Sequence, residues 1–165
     1  MMAKFLLGLI IIGFTTLCGY LLSKKYRRRR LFYAQFREFN DRYLNEMSYY
    51  RRPLAEFFSK YSYKGEFDFL LNDYLSSIKK GQTSFEKLLD CSDFNFLKKE
   101  ELPFVCDYFS MLGKGDSSSQ KTYFGSVKEN LKKLETDATQ TCKKYGDLYI
   151  KLGFLCGLFI LILII

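Results

Sequence analysis

The chain contains no histidine, so none of its side chains titrates near neutrality with an ordinary pKa, and a general base at pH 7 would need a strongly perturbed group. The only adjacent carboxylates, Glu100 and Glu101, would point about 100° apart on a helix, which suits solvated side chains better than an acid and a base. Neither a G-x-x-x-x-G-K-[ST] phosphate loop nor a G-x-S-x-G nucleophile turn occurs. The five cysteines, at 18, 91, 106, 142 and 156, include no C-x-x-C pair, and a zinc site without histidine would need four of these dispersed thiols. The reading is of a non-enzyme with no catalytic residues, no metal, no cofactor and no structural disulfide.

The remaining chemistry is charge and close packing. Lys and Arg total 26 against 18 acidic residues, for a net +8. That surplus is confined to Lys4, Lys151 and the run Lys24, Lys25, Arg27, Arg28, Arg29 and Arg30; residues 31–150 balance to zero. A neutral central domain lacks the basic stripe that nucleic acid requires, so no nucleic-acid partner is expected. The basic run can hold anionic lipid headgroups, each residue near the surface contributing about 1 kcal/mol, or it can serve only as a stop-transfer anchor. Gly153-x-x-x-Gly157 and Thr15-x-x-x-Gly19 are small-residue pairs that let membrane helices approach closely, within one molecule or between subunits.

These residues flank two apolar runs. Phe5 to Leu22 is 18 residues without a charge, and Leu152 to Ile165 is a second uncharged run of 14. As a helix the second reaches only about 21 Å against ~30 Å of hydrocarbon. Adding Leu148, Tyr149 and Ile150, with Lys151 snorkelling to the interface, brings it to spanning length; a re-entrant tail is the alternative. The first run is read as an uncleaved anchor, since Leu17 before Cys18 is not a lipoprotein site and KKYRRRR opposes export. Basic residues beside both runs place the central domain in the cytoplasm and both termini outside. The expected organisation is an N-terminal transmembrane anchor (1–23), a basic juxtamembrane segment (24–30), a cytoplasmic helical bundle (31–149) and a C-terminal transmembrane segment (150–165).

Apolar spacing makes the central domain helical. Phe32, Phe36, Phe39, Tyr43, Met47 and Tyr50 form one stripe that continues out of the first span. Pro53 opens a second helix faced by Leu54, Phe57, Phe58 and Tyr61 and ended by Gly65. Phe67, Leu70, Leu71, Tyr74, Leu75 and Ile78 face a third, closed by Lys79-Lys80-Gly81. Thr83 and Glu86 make a capping box for a short segment with Phe85, Leu88 and Leu89. A fifth helix runs from about Leu97 to Leu112, with Pro103 at its start or at a kink. Ser117 and Gln120 form a second capping box, after which Phe124, Val127, Leu131, Leu134, Ala138, Thr141, Tyr145, Leu148 and Leu152 keep a heptad seam into the second span. That helix, about 45 residues and roughly 68 Å long, completes an all-α architecture: two transmembrane helices flanking a cytoplasmic helical bundle, the last helix long and continuous into the membrane.

Three stretches in this order resemble the stage III sporulation protein AB family of endospore-forming bacteria. Glu46-Met47-Ser48-Tyr49-Tyr50-Arg51-Arg52-Pro53-Leu54 is similar to a family pattern E-I-x-Y-x-x-T-P-L, with Arg52 in place of threonine. Leu97-Lys98-Lys99 is followed by Leu112-Gly113-Lys114-Gly115-Asp116, then Gln120, matching L-G-x-x-D-x-x-x-Q, with Phe109 where a glycine is expected. Leu152-Gly153-Phe154-Leu155-Cys156-Gly157 is like the family's L-G-F-L-x-G tail.

The resemblance implies a mother-cell membrane protein in the channel complex between mother cell and forespore, partnered by other stage III proteins including a cytoplasmic ATPase. It also implies a bundle similar to the platform protein of type II secretion systems; a homo-oligomer is compatible with it. By the match, Glu46, Tyr49, Pro53, Leu54, Leu112, Gly113, Asp116 and Gln120 are either a partner surface or the caps of a turn. The expected function is a non-enzymatic, platform-like structural subunit of that complex; the alternative is an anionic-lipid-binding membrane adaptor that uses Lys24 to Arg30.

Overall fold

The computed structural model describes residues 2–49, 54–79 and 94–164, and the side chains of 8–48, 56–58, 60–79 and 94–163. Pro53, the Lys80-Gly81 helix end and the capping box of Thr83 and Glu86 lie outside the described residues. All regular elements within them are helical. Helix α1 spans Met2–Tyr49, 48 residues; α2 is Leu54–Lys60, α3 Glu66–Lys79, α4 Leu102–Met111 and α5 Ser117–Thr141. A π-helical turn, Cys142–Gly146, joins α5 to α6, Asp147–Ile164. The run from Ser117 to Leu163 is the one helix among the described residues found long and apolar enough to cross a membrane.

Local chemistry sets the boundaries. Pro103 sits in the first turn of α4, where its missing N–H costs nothing, so that helix starts at Leu102 rather than Leu97. The residues before it turn through Leu97 N–H to the Phe94 carbonyl (3.0 Å) and Glu101 N–H to the Lys98 carbonyl (2.9 Å). Gly65 opens α3 instead of closing α2: α2 stops at Lys60, and Gly65, at φ +66°, accepts the Phe69 amide at 3.3 Å. Glu66 and Asp68 in the first turn of α3 and Lys79 in its last complement the helix dipole.

Two compact units result, one of Leu31–Thr136 and one of Met1–Arg30 with Asp137–Ile165. The first is held by aromatic packing. Phe32, Tyr33, Phe36 and Phe39 of α1, Phe57 of α2, Phe67 of α3, Tyr108 and Phe109 of α4 and Phe124 of α5 are all almost fully buried, each large side chain contributing about 1.5–3 kcal/mol. Phe36 stacks on Phe67 at 5.4 Å and meets Tyr108 edge-on at 4.6 Å, geometries that ring quadrupoles favour. Phe109, where the resemblance led to the expectation of a glycine, is a core residue here.

In the second unit the apolar half of α1 packs antiparallel along α6, and glycines make the approach. A Cβ added to Gly153 would lie 2.5 Å from the Thr15 carbonyl oxygen, and one on Gly157 2.5 Å from Thr15 Oγ1. Gly19 lies likewise against the Tyr149 carbonyl.

The heptad seam holds only in part. Phe124, Val127, Leu131 and Ala138 are buried, but Tyr145, Leu148 and Leu152 are 37%, 43% and 44% exposed. Their places are taken one residue later, by Gly146, Tyr149 and Gly153. A π turn accommodates one extra residue in a helix, so every position after it is displaced by one against the α-helical count.

Candidate functional site

Of the family-like stretches in Leu31–Thr136, the second meets Met47 and Ser48 of the first at one place, while the matched residues Glu46, Tyr49, Pro53 and Leu54 are not among the described residues that line it. The last turns of α1 and the loop between α4 and α5 enclose an open cleft of about 720 Å³, lined by Tyr43, Met47 and Ser48 on one side and Gly113, Asp116 and Gln120 on the other. The loop can fold back on itself because Gly113 and Gly115 hold φ +73° and +83°, conformations that cost other L-residues roughly 1–2 kcal/mol.

Hydrogen bonds fix this loop. Tyr43 Oη donates to Gln120 Oε1 at 2.8 Å, and Gln120 Nε2 donates to the Lys114 carbonyl at 2.9 Å. Asp116 Oδ2 accepts the Ser118 and Ser119 amides at 3.1 and 3.2 Å, while Ser119 Oγ donates to Oδ1. Asp116 is therefore the cap of α5, the part expected of Ser117, and these bonds hold its carboxyl below the ordinary carboxylate range. Burial pushes the Tyr43 phenol up, opposed by a hydrogen bond from the Gly113 backbone. Leu112 is buried beneath the loop, with Gln120 close to it in burial; Ser117, Ser118 and Lys121 are exposed at the cleft.

Glu46 is almost fully buried yet does not line the cleft. It accepts from Lys60 Nζ and from Tyr61 Oη at 2.9 Å, tying the end of α2 to α1. Tyr49 and Leu54 fall at the end of α1 and the start of α2, but their side chains, like all of Pro53, lie outside the described residues. Glu100 is exposed, whereas Glu101 is buried and accepts the Lys98 amide at 3.0 Å; one carboxylate of the pair is thus a turn-forming group and not a solvated one.

The basic run divides the same way. Lys24, Lys25, Arg27 and Arg30 are exposed and Arg28 is half-buried. Arg29 is 4% exposed and its Nη2 donates to Asp137 Oδ2 at 2.7 Å, so it turns away from any headgroup. Beside that pair, Tyr26 stacks on both Tyr145 and Tyr149, at 5.8 and 5.9 Å.

Sequence reasoning missed the most buried polar junction. Asn40, with no exposed surface, donates to the Phe124 carbonyl at 3.2 Å and accepts from Tyr108 Oη at 3.0 Å, joining α1, α4 and α5. Its position between Phe36 and Tyr43 at helical spacing was the available signal: a polar residue inside an apolar stripe.

The arrangement presents a rigid, hydrogen-bonded loop with a polar, solvent-open rim. Compared with known proteins, residues 4–165 match the family described as stage III sporulation protein AB. No curated protein and no solved structure gives a match.

Proposed function

The chain belongs to the stage III sporulation protein AB family, and from that premise, which implies a role in stage III of sporulation, we propose that it is a non-enzymatic, platform-like subunit of the mother-cell to forespore channel complex. The observation that carries the reading is the convergence of Tyr43, Gly113, Asp116 and Gln120 on one open cleft, with the same α5 running on through the π turn into the candidate membrane helix. Tethering such a docking face to the membrane by two apolar helices raises its effective concentration at a partner.

In this reading Phe5 to Leu22 is the second span. Its support is the glycine-mediated packing of Thr15 and Gly19 against Tyr149, Gly153 and Gly157, which sets the two apolar segments side by side at the same depth. Lys24, Lys25, Arg27 and Arg30 then lie at the cytoplasmic boundary, where positive charge is retained. The unit of Leu31–Thr136 faces the cytoplasm, both ends of the chain lie outside, and the cleft meets the cytoplasmic ATPase and other proteins of the stage III complex.

The test is recovery of the tagged full-length protein from crosslinked membranes of sporulating cells, for the natural chain and for Ser118→Arg/Lys121→Glu. Those two side chains line the cleft without a role in the Tyr43–Gln120 bonding. The natural chain is expected to bring down the ATPase and stage III membrane proteins, and the variant to remain membrane-bound and helical while losing the ATPase. Equal recovery from both would remove the cleft as the docking face. Recovery of lipid alone, with the ATPase present in the cell, would favour a lipid adaptor.

A further inference from the structure

The seam of the last helix is written twice in the sequence, one residue apart. Tyr145, Leu148 and Leu152 continue the spacing of Leu131 and Ala138 as an unbroken α-helix would, while Gly146, Tyr149 and Gly153 occupy the corresponding places after the π turn. Upstream of the turn the helix is anchored, since Asp137 is paired at 2.7 Å with the buried Arg29. Downstream, the register seen here depends on glycine: a side chain at 153 or 157 would collide with Thr15. At the turn itself Tyr26 stacks on one residue of each seam, Tyr145 and Tyr149, at nearly equal distance.

We propose that the π turn at Cys142–Gly146 is a one-residue ratchet, at which α6 moves between the glycine seam seen here and the leucine seam against α1. Converting the π turn to α-helix moves the residue displaced by it onto the partner-facing side, a rotation of α6 by about 100°. Gly146, Gly153 and Gly157 leave the interface and Tyr145, Leu148, Leu152 and Cys156 enter it. The larger side chains hold the helices farther apart, so the two registers differ in the separation of the pair as well as in its rotation. Tyr26 keeps an aromatic neighbour in both, and the Arg29–Asp137 pair keeps α5 from turning with α6. A sequence-encoded choice of two packed registers is the kind of bistable element through which one part of a membrane assembly changes another.

The two registers are distinguished by disulfide trapping in the full-length chain in native membranes, with Ile12→Cys on α1 and Cys18, Cys91, Cys106 and Cys142 changed to serine. Gly157 faces Ile12 in the register seen here, so Cys156 and position 158 lie about 100° to either side of it, with Cys156 exposed and Leu158 half-buried; that register alone gives Cys156 no advantage over position 158. In the leucine register Cys156 comes to face position 12, and position 158 swings to the far side. The ratchet predicts severalfold more disulfide from Ile12→Cys to Cys156 than to Leu158→Cys in a Cys156→Ser background. Equal yields overturn it. Deletion of the exposed Lys144 removes the extra residue, leaves the glycine seam in place and is expected to abolish the excess; an excess that persists in the deleted chain also overturns the proposal. Neither readout depends on the ATPase or on the cleft.

Discussion

Asn40 shows how much of this protein turns on single polar groups in an apolar surround. Its amide serves the Phe124 carbonyl and the Tyr108 hydroxyl at once, in a place where water cannot substitute. Asn40→Ala strands both, and each unsatisfied buried group costs about 1–3 kcal/mol, so a loss of roughly 2–4 kcal/mol is expected in denaturant titration of the detergent-solubilised chain, against about 1 kcal/mol for Tyr108→Phe. The buried phenols also set an alkaline limit. Burial raises Tyr63 and Tyr74 to about 12 and Tyr108 well above its ordinary value. With folded pKa values above those of the unfolded chain, their contribution is complete below about pH 10 and is lost as pH rises through the folded values, because only the unfolded chain ionises freely. The tyrosinate absorbance of these buried phenols should therefore appear together with loss of helicity, as a cooperative step above pH 10; titration of all tyrosines before unfolding would contradict it. Asp116 works in the other direction: its depressed carboxyl favours the folded loop above the ordinary carboxylate pKa and ceases to do so as pH falls through its own, and Asp116→Asn should flatten that acid limb. Which polar residues matter was only partly legible. Gln120 stood out by its capping-box spacing and Asp116 by its match to the family pattern, whereas Asn40 and Arg29 depend on partners 84 and 108 residues away.

At the scale of elements, the helices follow from patterns that are local. The stripe of Phe32, Phe36, Phe39 and Tyr43 is the buried face of α1, and Pro103 begins α4 as a residue without an N–H must. The π turn was not legible, because a heptad count cannot register one extra residue when both resulting faces are apolar. Two substitutions test the elements. Gly113→Ala forces a side chain into φ +73° and should cost about 1–2 kcal/mol, with recovery of the proposed partner lost sooner than helicity. Gly153→Leu overpacks the α1–α6 contact and should destabilise that pair by about 1–3 kcal/mol, read as a lower detergent-denaturation midpoint. Leu155→Ala, at an exposed position on the same helix, should leave that midpoint nearly unchanged.

For the molecule as a whole, charge placement carries the predictions. In the proposed topology, changing the exposed Lys24, Lys25, Arg27 and Arg30 to glutamine should weaken cytoplasmic retention of that boundary, read as mixed protease accessibility of the central unit in sealed cells. Helical content should be unaffected. Arg29→Gln differs in kind, since it leaves Asp137 without its guanidinium, and should lower the denaturation midpoint while orientation persists. Deletion of the protein is expected to arrest sporulation after engulfment with normal vegetative growth, and a growth defect without a sporulation defect would count against the platform role.

By itself the amino-acid sequence determined what depends on neighbours three and four residues apart: helix positions, apolar runs, the clustering of basic charge and the motif order that identifies the family. Tertiary structure decided the rest, because burial and pairing are set by which distant segments share a volume. It made Arg29 an inward ion-pair residue and its neighbours outward ones, put Glu46 at a helix corner and Gln120 in the cleft, and chose glycine over leucine at the α1–α6 contact, where one backbone must come within contact of another.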